Sequence, residues 1–153
     1  KCNFVNLFCE HVPNKIGLIN HKISLNDKSD DVKRYIYKKY LEEVKSTNKY
    51  LGIDGILPDE SSIRLENTNI AVIRDQNDKV AGTLRFGLIS DSVYLYSLYA
   101  DSEYYYKELI TLVSNLTDKN IEAGFLPVRD NVLSILTSLG FKKIQTDYIL
   151  KLS

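Results

Sequence analysis

Three apolar runs lie close together in the middle of the chain, with short polar turns between them. Ile70–Ile73 and Val80–Ile89 flank the polar turn Asp75–Asp78, and a third run extends over Ser92–Tyr99. Asp and Asn residues in a short turn between two apolar runs are typical of a β-hairpin. The pattern therefore predicts three consecutive antiparallel strands.

Alternation within the third run predicts which side chains face the same way, because successive side chains of a strand point to opposite faces of the sheet. One face is predicted to carry Val93, Leu95, Ser97 and Tyr99, and the other Tyr94, Tyr96 and Leu98. Both sets are largely apolar or aromatic. We therefore expect both faces of this strand to be covered.

Three stretches outside these runs repeat apolar residues at helical spacing. The predicted helix signals are Asp30–Asp31 before a start at Val32, a cap at Asp101 or Ser102, and a cap at Asp130 with a stop at Gly140. Further strands are predicted at residues 16–25, 121–126 and 142–152, and a long loop with at most one short turn of helix at residues 46–68. The order predicts a single α/β domain with a mixed, mostly antiparallel sheet flanked by helices.

Acidic and basic residues balance in this chain of 153 residues, with 20 Lys and Arg against 20 Asp and Glu. No overall field therefore favours nucleic acid or an anionic membrane as a partner. Arg85, on a central strand, is expected to pair with a carboxylate, whereas a position in a cleft would favour a role in holding a ligand. No apolar run is long enough to span a membrane, and residues 1–9 are too short and too polar for a signal peptide. We expect a soluble, cytoplasmic protein, with an N-terminal extension at residues 1–18 and one domain at residues 19–153.

Cysteine and histidine are clustered only near the start of the chain, at Cys2, Cys9, His11 and His21. Zinc sites repeat short Cys-x-x-Cys or His-x-x-x-His spacings so that neighbouring ligands converge on one tetrahedron. Neither spacing occurs here. The sequence therefore predicts no metal site, and the two cysteines are expected to be ordinary reduced thiols.

Two local motifs add to the order of the elements. Lys79–Arg85 reads Lys-Val-Ala-Gly-Thr-Leu-Arg on the second hairpin strand, and Leu139–Phe141 reads Leu-Gly-Phe after a short amphipathic helix. With the order of strands and helices, these features cover most of residues 20–152 and resemble the GNAT superfamily of N-acyltransferases. The Lys79–Arg85 motif after a long acidic loop is also similar to the branch that makes acyl-homoserine lactones and long-chain N-acyl amino acids.

The resemblance also exposes a departure at the donor site. GNAT enzymes bind the pyrophosphate of their donor at the start of the helix after the third run, where glycines let backbone amides approach the anion. Here Ser102–Glu108 reads Ser-Glu-Tyr-Tyr-Tyr-Lys-Glu and contains no glycine. Glu108 falls where the phosphates are expected, Asp101 and Glu103 add negative charge, and Lys107 is the only cation nearby. The comparison predicts repulsion of coenzyme A in its usual pose.

Two catalytic positions of the family also depart. The tyrosine that protonates the leaving thiolate falls on Leu136, and the general base falls among Tyr94, Tyr96 and Ser97. The nearest replacements are Tyr96, Asp101 and Glu103. The resemblance places the donor in the groove where the strand at residues 92–100 separates from the strand at residues 121–126, beyond Ala100. The expected donor contacts are Leu98, Tyr99, Ala100, Tyr105, Tyr106, Lys107 and Asn131.

Three functions are compatible with these residues. The leading hypothesis is transfer of an acyl group from acetyl-CoA, another acyl-CoA or an acyl carrier protein to the amine of a small molecule or a protein. The alternative is an inactive module that kept the fold and serves a binding or structural role. A third is a small-molecule sensor whose apolar pocket would be lined by Tyr94, Tyr96 and Tyr99.

Overall fold

The computed structural model describes residues 2–9, 22–89, 91–127 and 130–149. They form a seven-stranded sheet in the order β2-β3-β4-β5-β6-β1-β7, with helices packed on it. The strands are β1 (Cys2–Cys9), β2 (Lys22–Leu25), β3 (Asn69–Arg74), β4 (Val80–Ile89), β5 (Ser92–Ala100), β6 (Asn120–Pro127) and β7 (Lys142–Ile149). The α-helices are α1 (Asp30–Leu51), α2 (Glu103–Leu116) and α3 (Asp130–Ser138), and a 3-10 turn covers Glu60–Ser62. The predicted mixed, mostly antiparallel α/β architecture is confirmed.

Strands β3, β4 and β5 form the predicted antiparallel meander. The turn between β3 and β4 is closed by Asp75, whose side-chain Oδ1 accepts hydrogen bonds from the backbone N–H groups of Asn77 at 2.8 Å and Lys79 at 3.0 Å. Asp78 takes a positive φ of 62°, which Asp and Asn tolerate better than most residues. The local turn chemistry thus sets the pairing that the polar sequence predicts.

Helix α1 differs from the prediction at both ends. It begins at Asp30 rather than Val32, because Ser29 has an extended backbone and occupies the N-cap position. It ends at Leu51, where Gly52 takes the left-handed conformation with φ 64°, so that the first six residues of the predicted 46–68 loop are helical. The stop signal at Gly52 lies inside a stretch whose weak periodicity predicts a long loop with one short turn of helix, and the 3-10 turn at Glu60–Ser62 lies in the same stretch.

Arg74, at the end of β3, fastens the start of α1 to the sheet. Its Nη1 lies 2.6 Å from Asp31 Oδ2, and its Nη2 lies 3.0 Å from Asp27 Oδ2 and 3.2 Å from Ser29 Oγ. The hydrogen bond from Arg74 is the largest cause that holds the pKa of Asp31 well below its usual range. Burial raises the pKa of Asp27, but hydrogen bonds from Ser29 and Arg74 outweigh it and lower that pKa overall.

The sheet has a core on each face. Under α2 and α3, the larger cluster includes Ala71, Ile73, Leu84, Leu95, Leu98, Leu109, Ile110, Leu136 and Phe141. Under α1, the smaller cluster consists of Val32, Ile36, Ile63, Leu65, Ile70, Val72 and Tyr99. Successive residues of β3 therefore alternate between the two clusters, as expected for a strand buried on both faces.

The predicted faces of β5 are wrong beyond Leu95, because a β-bulge interrupts the alternation. Arg85 pairs with Ser97 and Phe86 pairs with Leu95, so the intervening Tyr96 has no opposite residue on β4. As a result Leu98 joins Leu95 in the larger cluster, while Tyr99 lies under α1. The bulge changes which face each later residue of β5 occupies.

Strand β1 was not predicted. It lies between β6 and β7 and pairs antiparallel with both, so that Val5 is opposite Leu126 on one side and Thr146 on the other. The predicted strand residues 16–21 and 150–152, and the proposed limit of an N-terminal extension at residue 18, lie outside the described residues. Within the described part of the chain, no helix is long and apolar enough to cross a membrane.

Candidate functional site

Two neighbouring parallel strands part half-way along their length. Strand β5 pairs with β6 only from Ser92 to Leu95, opposite Asn120 to Ala123. The bulge at Tyr96 follows at once, and beyond it β6 continues its pairing with β1 instead. The strands separate after Leu95, which is earlier than the predicted point beyond Ala100. Bulges bend a strand and increase its local twist, which accounts for the change of direction here.

A cleft of about 370 Å³ lies where β5 runs into α2, next to the start of α3. The lining residues are Ala100, Asp101, Ser102, Glu103, Tyr106, Asn131, Ser134 and Ile135. The first turn of α2 supplies part of the wall. Ser102 caps this helix, since its Oγ accepts a hydrogen bond of 3.3 Å from the N–H of Tyr105. The N–H of Glu103, in the first turn, has no acceptor within the helix and is suited to a polar or anionic group.

Asp101 is held at one side of the cleft by two residues of α1. Its Oδ1 accepts a hydrogen bond of 2.9 Å from the hydroxyl of Tyr35 and lies 3.5 Å from Lys39 Nζ. The Asp101 N–H donates to the carbonyl of Ala81 at 2.9 Å, which anchors the residue to β4. Burial, and then the hydrogen bond to Asp101, raise the pKa of Tyr35 far above its usual value. Tyr35 therefore remains a hydrogen-bond donor at any physiological pH.

The sequence predicts that acidic residues at the cleft repel the donor phosphates, but the charges found at the cleft differ from this prediction. Glu103 forms an ion pair with Lys107, whose Nζ lies 3.0 Å from Glu103 Oε1, and Asp101 has Lys39 nearby. Each of the two carboxylates at the cleft thus has a lysine partner. Glu108 is wholly buried and is not among the residues that line the cleft, so the prediction that it lies beside the donor phosphates is wrong. The hydrogen bond to Glu108 is instead the main cause that raises the pKa of Tyr104.

Solved structures share this arrangement of strands and helices. An acetyltransferase of the GNAT family from Novosphingobium aromaticivorans superposes with a TM-score of 0.61 at 9% sequence identity, over 95% of this chain and 61% of that chain. The ribosomal-protein-S18-alanine N-acetyltransferase from Escherichia coli gives 0.55 at 16% identity, over 82% of this chain and 79% of that chain. The chain has the GNAT fold. An aminoglycoside acetyltransferase from an uncultured soil metagenomic sample gives 0.53 at 19% identity, over 86% of this chain and 97% of that chain.

The similarity lies in structure and not in sequence. No protein-family model matches the chain, and no curated protein matches its sequence. The chain spans 59%, 32% and 61% of three structures with the same fold, from Staphylococcus epidermidis, Enterococcus faecalis and Novosphingobium aromaticivorans. At these identities the comparisons establish the GNAT fold alone.

Some of the predicted site residues meet in the GNAT-fold cleft. These are Ala100, Asp101, Glu103, Tyr106 and Asn131. They come from three elements, namely the end of β5, the first turn of α2 and the start of α3. The helix cap after β5 and the cap at Asp130 were local signals, and they place these residues where the fold brings the two helix starts together.

Other predicted donor contacts are placed elsewhere. Leu98 is 1% exposed in the larger core. Tyr99 is 5% exposed, and its hydroxyl donates to Glu43 Oε2 of α1 at 2.8 Å. Tyr105 packs against the larger core, and Lys107 pairs with Glu103 at the cleft edge without lining the cleft itself. Lys107 contacts the lining residue Glu103, and the backbone N–H of Tyr105 contacts the lining residue Ser102.

Tyr96, a predicted catalytic residue, turns away from the parting of the strands. A Cβ added at Gly87 would meet the Tyr96 ring at 2.9 Å, so the ring lies over β4, on the opposite side of β5 from β6. Its centroid is 5.4 Å from that of Tyr94. The hydroxyl is therefore not directed into the gap. Tyr99 is packed under α1 with its hydroxyl bonded to Glu43, whereas Tyr94 and Tyr96 pack against each other, and the sensor hypothesis stays a prediction.

The helix α3 has no replacement for the family tyrosine at the predicted position. Leu136 is fully buried and belongs to the larger core. The residues of α3 that do reach the cleft are Asn131, Ser134 and Ile135. Ser134 was missed in the sequence because it lies on the polar side of an amphipathic pattern.

Tyr35 and Lys39 were also missed, since their relevance depends on a contact between α1 and the end of β5. The spacing of four residues puts both on one side of α1, and Lys39 Nζ lies 5.6 Å from the Tyr35 ring centroid. That spacing is the only signal the sequence contains. In the sequence, Tyr35 and Lys39 look like any neighbouring pair on a helix surface, because nothing there shows that Asp101 lies beside them.

Arg85 does not pair with a carboxylate among the described residues, contrary to the prediction. Its Nη2 donates to the backbone carbonyl of Arg64 at 2.8 Å. Burial lowers the pKa of its guanidinium, because the charged form loses hydration. Among the described side chains, no group of three or more His, Cys, Asp and Glu is placed to hold a metal ion.

Proposed function

We propose that this domain transfers an acyl group from a thioester donor to an amine. The observation that carries the proposal is the parting of β5 and β6 after Leu95, beside the bulge at Tyr96, together with a cleft at the end of the same strand β5. Such a gap lets an extended, narrow thioester arm lie between two strands. The solved structures of the same fold that are described as acetyltransferases support the reaction class.

The donor is acetyl-CoA, a longer acyl-CoA, or the phosphopantetheine arm of an acyl carrier protein. Ala100, Asn131 and Ser134 would hold the arm, and the first turn of α2 would face its phosphate end. The absence of glycine in Ser102–Glu108 favours a donor with fewer phosphates at this end, since the backbone cannot approach a pyrophosphate as closely. The lysine partners of Asp101 and Glu103 reduce the repulsion that a phosphate would meet.

We assign Asp101 the role of accepting the proton of the attacking amine through solvent, because it lies at the cleft near the first turn of α2 rather than beside Tyr96. Its carboxylate lies at the wall of the cleft, and Tyr35 and Lys39 fix its orientation. In the reaction the amine nitrogen bonds to the thioester carbonyl carbon, the carbon–sulfur bond breaks, and the thiolate leaves with the electron pair. Asp101 then holds a proton that must return to solvent or to the thiolate. Glu103, engaged by Lys107, is assigned no proton transfer.

Donor binding can be measured by the shift in melting temperature with acetyl-CoA, a long-chain acyl-CoA and coenzyme A alone. A donor present at 100 times its Kd stabilises the folded chain by about 2.7 kcal/mol. Ser134→Trp fills the cleft from the exposed side and should abolish the shift, whereas Thr137→Trp, one turn later on α3 and outside the cleft, should retain it. If no donor raises the melting temperature of the wild-type chain, the donor site is refuted and the inactive module becomes the better account.

A further inference from the structure

A strip of polar side chains crosses the α1 face of the sheet close to the strand gap. We call Thr83, Arg85 and Ser97 the polar strip. Thr83 and Arg85 occupy the same face of β4, and Arg85 is directly opposite Ser97 on β5. Thr83 Oγ1, Arg85 Nε and Ser97 Oγ are buried and have no hydrogen-bond partner among the described residues. Because buried polar atoms nearly always have a partner, three such atoms side by side indicate a site for a group that the described residues do not supply.

The polar strip carries a positive charge that the described residues do not neutralise. Nη2 of Arg85 is engaged by the Arg64 carbonyl, and Arg85 forms no ion pair with an Asp or Glu of the described residues. A guanidinium that is partly desolvated and lacks a counter-ion is a strong receptor for an anion, above all a planar carboxylate. The bond to Arg64 holds the side chain in one orientation, so little rotamer freedom remains to be lost on binding.

The position of the polar strip relates it to the reaction. Ser97 immediately follows the bulge residue Tyr96, at the point where β5 leaves β6. Arg85 is one strand further from the gap, a distance of about 4.8 Å in the plane of the sheet. The donor cleft lies on the α2 side, whereas the strip lies on the α1 side. A small molecule on the strip would therefore reach the gap from the face opposite the donor.

We propose that the polar strip binds the carboxylate of the acyl acceptor, so that the acceptor is a small amine that also carries a carboxylate, such as an amino acid. This inference rests on the proposed function. The carboxylate contacts Arg85 and Ser97, and the amine a few bonds away is directed to the gap beside Tyr96. The amine nitrogen forms the new bond to the acyl carbon, and the carbon–sulfur bond breaks with its electron pair going to the thiolate. One amine proton passes through solvent to Asp101, which lies four residues beyond Ser97, about 13 Å further along the strand direction.

Binding of the carboxylate can be tested without any donor. Glycine with glycinamide, and L-leucine with L-leucinamide, are compared as matched pairs by ligand-observed NMR on the full chain. We expect each carboxylate to bind at least ten-fold more tightly than its amide. Arg85→Gln should remove this preference, and Arg34→Gln, which deletes an exposed arginine of α1, should retain it. Equal binding of acid and amide by the wild-type chain, or a preference that survives in folded Arg85→Gln, overturns the proposal.

Two further variants keep the test decisive if Arg85→Gln does not fold. Arg85→Lys preserves the charge but not the planar geometry and should reduce the preference several-fold. Ser97→Ala should weaken carboxylate binding with little change in melting temperature, because its Oγ has no partner among the described residues to lose. A carboxylate preference unaffected by both variants contradicts the assignment.

Acyl transfer then separates this inference from the proposed function. With acetyl-CoA or a long-chain acyl-CoA as the donor, Arg85→Gln should raise the KM for the carboxylate acceptor at least ten-fold and leave the KM for the donor unchanged. Transfer to amides as readily as to carboxylates overturns the acceptor assignment alone. Carboxylate binding without transfer to any amine refutes both the proposed function and the role of the strip as an acceptor site.

Discussion

The hydroxyl of Tyr35 donates a 2.9 Å hydrogen bond to the carboxylate of Asp101, and this contact joins the first helix to the end of the fifth strand. It brings together two residues that are distant in the sequence, at the wall of the cleft. The contact therefore connects the packing of α1 to the orientation of the group that we assign to proton transfer.

Tyr35→Phe should lower the rate of acyl transfer and cost about 1 kcal/mol in the free energy of unfolding, which is typical for one lost hydrogen bond. Tyr37→Phe is the matched control, because the Tyr37 hydroxyl donates to the Pro58 carbonyl at 3.1 Å, away from Asp101. It should lower stability by a similar amount without a comparable loss of kcat. Equal kcat values for the two variants would remove Tyr35 from the proposed mechanism.

The two charged residues on the first turns of α2 should have opposite effects on coenzyme A binding. Glu103→Gln removes a negative charge at the cleft and should tighten binding about two- to five-fold, and Lys107→Gln should weaken it by a similar factor. Both effects should shrink at high salt, because these side chains are partly exposed. Isothermal titration at two salt concentrations measures this, with Lys119→Gln as a control on the loop after α2. If both substitutions tighten coenzyme A binding, or both weaken it, the phosphates bind elsewhere.

The cluster around Arg74 should make stability depend on pH in the acid range. The pKa values of Asp27 and Asp31 are lowered in the folded chain, so their contribution is complete above the unfolded value of about 3.9 and is lost as pH falls through the folded values. Arg74→Gln should therefore lower the melting temperature at pH 7, and the difference from wild type should narrow below about pH 4. Lys79→Gln, which removes a nearby exposed charge, should show no such narrowing. A difference that is constant with pH would exclude the ion pairs as its cause.

Two glycines of β4 should respond differently to alanine. At Gly82 an added Cβ would lie 3.1 Å from Leu109 Cδ1 and 3.3 Å from Ala100 Cβ, inside the packed core, so Gly82→Ala should cost about 1–3 kcal/mol. At Gly87 the added Cβ would lie 2.9 Å from the Tyr96 ring, which is 45% exposed and free to turn away. Gly87→Ala should therefore cost less, and Gly87→Ala in a Tyr96→Ala background should cost less still. Urea unfolding of Gly82→Ala, Gly87→Ala, Tyr96→Ala, the Gly87→Ala/Tyr96→Ala double variant and the wild type gives the comparison.

Local signals in the sequence were sufficient for most of the fold. The Asp75–Asp78 turn, the Ser102 cap and the stop at Gly140 each depend on a few neighbouring residues, and each is present in the structure. The same signals place Ala100, Asp101, Glu103, Tyr106 and Asn131 near one another, since helix starts at the ends of strands converge in this architecture.

The features that were missed depend on contacts between distant parts of the chain or on a break in regular geometry. Strict alternation predicted the wrong faces for Leu98 and Tyr99, because nothing in the residues around Tyr96 marks an added residue in the ladder. Likewise, matching Glu108 to a family pattern gave its place along the helix but not its burial. The opposition of Tyr35 and Asp101 could be found only from the packed structure.

The place of β1 in the sheet has a consequence for how the chain folds. Strand β7 is at the sheet edge and pairs only with β1 in the described residues, so that Cys2 lies opposite Ile149. This end of the sheet can therefore form only when β1, near the start of the sequence, and β7, near its end, have come together. Such long-range pairing slows folding, because loop-closure entropy is lost before the contacts form. Deleting residues 2–9 would remove the only ladder that holds β7 in the described sheet. A deletion near the start of the sequence would therefore disorder a strand near its end.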